Sequence, residues 1–180
     1  FQKDDIFVDI GCSIGIISMV FAKLYPFIQI YSFDANPIAI KCLNMGLEAN
    51  NIKNINSYNL AIGPENKNDV EFHTYSENET CLIQKNLATD TRAVSYKSKM
   101  LSVADLFDNY IPKNKIVKYL KIDIETGEFP LFDYIFNSRL DILDKIEYLH
   151  CEVHPFDDNN PPSKILKDKL KLKFGEKVRF

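Results

Sequence analysis

The sequence predicts an α/β fold, a doubly wound and mostly parallel sheet forming a single domain over residues 1–180, on three observations. Short apolar runs alternate with segments of helical period in the order β-α-β-α-β. A glycine-bearing loop joins the first strand to the first helix. Acidic residues stand where successive strands end. A chain of 180 residues is long enough to bury a core without disulfides or a structural metal.

The elements follow in order. Ile6 to Ile10 is an apolar run broken only by Asp9, and it ends in Gly11-Cys12-Ser13-Ile14-Gly15. Ile16, Ile17, Val20, Phe21 and Leu24 then recur at helical spacing, predicting a helix that buries this face and stops before Pro26. Gln29 to Phe33 reads as a second strand, closed by Asp34. Asn36-Pro37 predicts a helix start, with Asn as N-cap and Pro in the first turn. Ala39, Cys42, Leu43, Gly46 and Leu47 would form the buried stripe of that helix, and Asn56 to Leu60 a third strand.

Val70 to Tyr75 predicts a strand, whereas Glu77 to Met100 is polar and turn-rich, an excursion over the ligand crevice. Ser102 to Asp105 has the form of a capping box, with Val103, Leu106, Phe107 and Tyr110 at helical spacing behind it. Val117 to Ile124 and Ile146 to Val153 read as strands, and Pro130 to Phe136 and Pro162 to Leu172 as helices. Val178 to Phe180 looks like a strand that has only begun, so a C-terminal truncation is expected.

Composition narrows the class. A hydrophobic fraction of 46% and a charged fraction of 26% are those of a soluble globular domain. The net charge of −3 carries no basic surplus, so no nucleic-acid partner is expected. No apolar stretch is long enough for a membrane span. Cys12, Cys42, Cys81 and Cys151 show no C-x-x-C spacing, which argues against a zinc site or redox dithiol. They predict reduced, mostly buried thiols in a reducing, cytoplasmic setting.

In an open α/β sheet the ligand lies beyond the carboxyl ends of the strands. The first candidate there is the Asp9-to-Gly15 loop. Its spacing is G-x-x-x-G, not the G-x-G-x-x-G of dinucleotide binders, which argues against a nicotinamide oxidoreductase. Asp9, two residues ahead of Gly11, suits a cationic ligand group such as the amino group or sulfonium of S-adenosylmethionine (SAM). A plain strand-to-helix turn is the competing reading. The second candidate, Asp34, ends the second strand and can accept hydrogen bonds from two ribose hydroxyls, although an Asp before an N-cap is also a common turn residue.

The third candidate is Lys121 to Glu128. In a strand Lys121, Asp123 and Glu125 share a face, and repulsion among Asp123, Glu125 and Glu128 would raise one carboxyl toward the range of a general base. A solvated acidic turn capping the next helix is the alternative. The fourth is His150-Cys151-Glu152-Val153-His154, in which His150, Glu152 and His154 share a strand face. Metal ligation by two histidines and carboxylates is one reading of these residues. Hydrogen-bonded rim histidines are the commoner arrangement, and no metal is assigned.

Taken together, Val8 to Gly15, Ser32 to Pro37, Asn59-Leu60-Ala61-Ile62-Gly63, Leu120 to Glu128 and Glu152-Val153-His154 resemble the FkbM-type methyltransferase family along nearly the whole chain. The resemblance implies a Rossmann-like class I SAM methyltransferase fold and O-methylation of a hydroxyl on a sugar, glycan or other small molecule. It implies that Asp9, Gly11 and Gly15 hold the methionine part of SAM, with Cys12 and Ser13 between them as further cofactor-binding candidates. Asp34, Ala35 and Asn36 would hold the ribose, and Asn59, Leu60 and Ala61 would lie by the adenine. Asp123, Glu125 and Glu128 would face the transfer site, with Asp123 also counted among the cofactor-binding residues. Asp123 or Glu125 is the expected general base, and His154, by its place at a strand end, is the next catalytic candidate. The chain departs from the family at Cys12-Ser13, at Asp34-Ala35 and at Thr126, which stands where the family has Gly. If that Gly has positive φ, Thr126 costs backbone freedom. A non-catalytic SAM-binding or interaction module with the same fold is the rival reading.

Overall fold

The computed structural model describes residues 1–74, 94–154 and 161–180. Its central sheet has six strands in the order β3-β2-β1-β7-β8-β9, every neighbouring pair parallel. These are β1 (Ile6–Ile10), β2 (Gln29–Asp34), β3 (Ile55–Asn59), β7 (Val117–Ile122), β8 (Ile146–Cys151) and β9 (Val178–Arg179). The predicted strand at Val178 is therefore the short edge of the sheet. The order reverses between β1 and β7, which places the crevice of a doubly wound sheet there.

The helices α1 (Ile16–Leu24), α2 (Pro37–Ala49), α4 (Glu128–Ser138), α5 (Asp141–Asp144) and α6 (Pro161–Phe174) connect or flank these strands. The main core packs β1, β7 and β8 against Leu131, Phe132 and Ile135 of α4 and Leu166 and Leu170 of α6. Asn36 caps α2 as predicted: its side-chain oxygen accepts from Ile38 N at 2.9 Å and Ala39 N at 3.4 Å. Such a cap contributes about 1 kcal/mol. The stripe of α2 is Ala39, Ile40 and Leu43, and Cys42 is exposed, so the expected burial of Cys42 does not hold. Cys12 and Cys151 are buried, and Cys81 lies outside the described residues.

Helix α1 turns a different face inward from the one its apolar spacing predicts. Ser18 and Ala22 are buried, while Ile16, Ile17, Val20 and Leu24 are exposed. The reason is polar. Ser18 Oγ donates to buried Asp9 Oδ2 at 2.6 Å and lies 2.7 Å from Ser32 Oγ, so the hydroxyl is satisfied inside. Two small residues also let the helix approach the sheet closely.

A second sheet, in the order β4-β6-β5, is inserted between β3 and β7. It comprises β4 (Ala61–Gly63), β5 (Lys67–Thr74) and β6 (Val94–Ser102), with β5 and β6 antiparallel. Residues 94–100, expected to be turn-rich, are strand. Tyr96, Ser98 and Met100 point inward and Ser95, Lys97 and Lys99 outward, a period of two in which polar Ser98 hides the alternation. The rest of that expected excursion lies outside the described residues. Ser102 caps α3 (Val103–Asp105) by accepting from Asp105 N at 3.0 Å, and a π-helical turn, Leu106–Tyr110, continues it. Among the described residues, no helix is long and apolar enough to cross a membrane.

Candidate functional site

The carboxyl ends of β1, β2 and β7 open into one cavity that includes about 620 Å³ of empty space with its mouth. Gly11, Asp34, Ala35, Leu60, Ala61 and Asp123, all expected near the cofactor, line it. Asp9, Cys12, Ser13, Gly15, Asn36 and Asn59, also expected near the cofactor, are not among the residues that line it.

Gly11 takes φ +76°, and a Cβ there would fall 1.7 Å from the Asp123 carbonyl oxygen. Only glycine lets the loop pass so close to β7. Gly15, at φ +77°, begins α1 and packs against Leu43. Cys12 is buried with Ile40 and Leu43, turned toward α2. Burial pushes its thiol well above the usual value, and the charges of Asp9 and Asp34 add to this.

Asp34 is 8% exposed and organises the loops around it. Its Oδ2 accepts from Ser13 N at 2.7 Å and its Oδ1 from Asn36 N at 2.8 Å. Burial raises its carboxyl above the usual range, and these two backbone hydrogen bonds pull the other way. Asn59 Nδ2 donates to the carbonyls of Asp34 and Ala35 at 3.0 and 2.9 Å and so ties β3 to this turn. Asp9 is completely buried beneath the loop, with Lys121 Nζ 3.6 Å from its Oδ1. Burial raises the Asp9 carboxyl, opposed mainly by Lys121.

The acidic segment departs from the expected strand. β7 ends at Ile122, and Glu125 and Thr126 have φ of 50° and 75°, so Lys121, Asp123 and Glu125 do not share a strand face. The chain must turn at once because Glu128 opens α4 and folds back, its Oε1 accepting from Ile124 N at 3.0 Å. The left-handed Thr126 is where the family resemblance places Gly. Positive φ is uncommon for any β-branched residue.

The turn nevertheless gathers the expected acids around His154. Its Nδ1 lies 3.0 Å from Glu128 Oε1. Its Nε2 lies 3.5 Å from Glu125 Oε2 and 3.7 Å from both Asp123 Oδ1 and Glu152 Oε1. A carboxylate accepts, so this partner assigns the proton to Nδ1 and leaves Nε2 facing the other acids. Burial works against protonation of the imidazole, yet the bond to Glu128 and the nearby carboxylates hold it above its ordinary value. Burial likewise raises Glu125, with His154 opposing. His150 stands apart, its Nδ1 3.4 Å from Tyr119 Oη.

Sequence reasoning missed the apolar wall supplied by the small sheet, namely Ile62, Phe72 and Met100. The alternation of residues 94–100 was the available signal. Gly63 belongs here too: a Cβ on it would meet the Met100 side chain.

Comparison with known proteins bears on this geometry. The family model of the methyltransferase small domain matches residues 2–75, the segment with the glycine loop and Asp34. The putative rRNA methylase from Clostridium thermocellum superimposes with a TM-score of 0.52 at 13% identity, covering 95% of this chain and 73% of that one. The fold is that of a class I methyltransferase. The N-terminal domain of human METTL16, solved in complex with SAH, aligns with a TM-score of 0.50 at 12% identity, covering 95% of this chain. This chain spans 53% of that one. "Methyltransferase 1" of Beauveria bassiana (strain ARSEF 2860) is 22% identical over 169 residues, or 84% of this chain and 67% of that protein. The family model and this relative agree in placing the methyltransferase likeness on the part of the chain that carries the glycine loop and Asp34. The FkbM-type resemblance rests on the motifs alone.

Proposed function

We propose that the chain methylates a hydroxyl group on a sugar, glycan or other small molecule, in the manner of the FkbM-type enzymes its motifs resemble. The observation that carries this reading is the shared cavity. Asp34 and Asp123 stand on its walls, and the His154 cluster adjoins Asp123.

The cavity fits the cofactor chemically. Asp34 keeps free lone pairs beside its two backbone partners and would accept from the ribose hydroxyls. Leu60, Ala61 and Phe72 offer an apolar surface for a flat base. Gly11 brings backbone close to the ligand, and Asp9 braces the loop from beneath through Ser18. When bound, SAM supplies an electrophilic methyl group on a sulfonium.

The remaining task is to orient an acceptor and remove its proton, which is largely positioning catalysis. Asp123 and Glu125 are the proposed proton acceptors. His154, held at Nδ1 by buried Glu128, would pass the proton outward or steady the charge left behind.

The test is Glu125→Gln in a methyl-transfer assay against a panel of hydroxyl acceptors. The expected result is a fall in turnover of about 10²-fold or more with SAM affinity unchanged. Full activity in the variant would remove Glu125 from the chemistry. SAM binding with no transfer to any acceptor by the wild type would favour the non-catalytic module.

A further inference from the structure

We propose that Asp123, Glu152 and His154 form a divalent-cation site at the rim of the cofactor cavity, suited to a transition-series ion such as Mn²⁺. Its role in acceptor activation rests on the methyltransferase reading above; its binding does not.

One ligand atom from each residue lies within 4.8 Å of the other two. His154 Nε2 is 3.7 Å from Asp123 Oδ1 and from Glu152 Oε1. Those separations exceed the roughly 2.7–3.2 Å of a direct hydrogen bond. They match atoms that share an ion, because metal–ligand lengths of about 2.0–2.2 Å leave neighbouring ligands about 3–4 Å apart.

A second observation concerns charge. Glu128 is completely buried against the same imidazole, and its Oε2 has no hydrogen-bond partner among the described residues. A buried carboxylate oxygen left unpaired is costly unless positive charge is close by. Lys121 Nζ reaches Asp123 Oδ2 at 3.1 Å but is shared with Asp9. Even with His154 counted as a cation, the four carboxylates outnumber the positive charges beside them.

The donor set gives the metal class. One imidazole with two carboxylates suits Mn²⁺, Fe²⁺, Co²⁺ or Zn²⁺ better than an all-oxygen ion such as Ca²⁺. With Nδ1 occupied by Glu128, the imidazole offers Nε2, and a carboxylate behind it fixes the ring. An ion beside Asp123 would lower the pKa of an arriving hydroxyl. The released proton would pass to Glu125, which is outside the triad.

Titration of Mn²⁺ into the SAM-free protein, followed by electron paramagnetic resonance, tests the site, with SAM binding measured separately by calorimetry. Glu152→Gln is the main variant, since that side chain is 59% exposed and dispensable for packing. His154→Ala is the second, with folding checked by circular dichroism. The expected result is one Mn²⁺ per chain with Kd below about 100 µM. Glu152→Gln should weaken it about tenfold or more, with SAM affinity unchanged. A folded wild type that binds SAM but leaves the free Mn²⁺ signal undiminished would overturn the site. So would undiminished Mn²⁺ binding in both variants. Mn²⁺ binding without SAM binding would support the site and count against the methyltransferase reading.

Discussion

Gly11 and Asp123 meet backbone to backbone, so closely that a Cβ on Gly11 would lie 1.7 Å from the Asp123 carbonyl oxygen. The contact joins the glycine loop after β1 to the acidic segment after β7, the two sides of the switch point. Gly11→Ala would force β7 away and strain a residue at φ +76°. The expected loss is about 2–5 kcal/mol of stability, overpacking and left-handed strain together, measurable by urea unfolding. SAM affinity should fall as well, because the displaced carbonyl belongs to a residue lining the cavity.

Thr126 stores strain that a single substitution can release. It is buried at φ 75°, next to Glu125 at φ 50°. Left-handed strain costs about 1–3 kcal/mol, and glycine returns about 0.5–1 kcal/mol to the unfolded chain. Thr126→Gly should therefore raise stability by about 1 kcal/mol, seen as a higher Tm. An unchanged or lower Tm would mean that the Thr126 side chain contributes more packing than its backbone costs.

Arg139 ties the start of α5 to the segment before β7. It donates to Asp141 at 2.8 Å and to both oxygens of Asp108 at 2.9 and 3.0 Å. Hydrogen bonds from Arg139 hold the Asp141 carboxyl down to about 2, below its ordinary 3.8, and they lower Asp108 as well. A depressed folded pKa means stability that is present above the unfolded value and lost as pH falls through the folded one. Arg139→Ala should cost about 1 kcal/mol or less near neutrality, since the partner acids are half exposed and screened. The difference from wild type should shrink between about pH 4 and pH 2 in acid-unfolding curves.

Asn36 offers a separate test of local structure. Its side-chain oxygen accepts from two N–H groups at the start of α2. Asn36→Ala should cost about 1 kcal/mol, whereas Asn36→Asp should retain most of the stability. Equal losses in the two variants, by thermal unfolding, would show that the side chain matters by packing and not as a cap.

Much of this was legible in the chain. Asn36-Pro37 announced α2 because capping is a local interaction between neighbours in sequence. That Asp34, Gly11 and Asp123 meet around one cavity was legible because a doubly wound sheet fixes where strand ends must gather. The inward face of α1 was not, because Ser18 is buried only by virtue of Asp9 and Ser32, nine and fourteen residues away. The strand at residues 94–100 was hidden by a buried serine in its alternation. The gathering of Asp123, Glu125, Glu128 and Glu152 on His154 depends on a left-handed turn at two non-glycine residues, which no periodicity announces.

The central claim is that the cavity holds SAM through Asp34. Calorimetric titration of the protein with SAM and with NAD, for wild type and Asp34→Asn, tests it most directly. Asn keeps the shape and removes the charge, so the loop remains in place. The account predicts SAM binding by the wild type, loss of about tenfold or more in Asp34→Asn, and no NAD binding in either. Failure of the folded wild type to bind SAM, or equal SAM affinity in the two proteins, would contradict it.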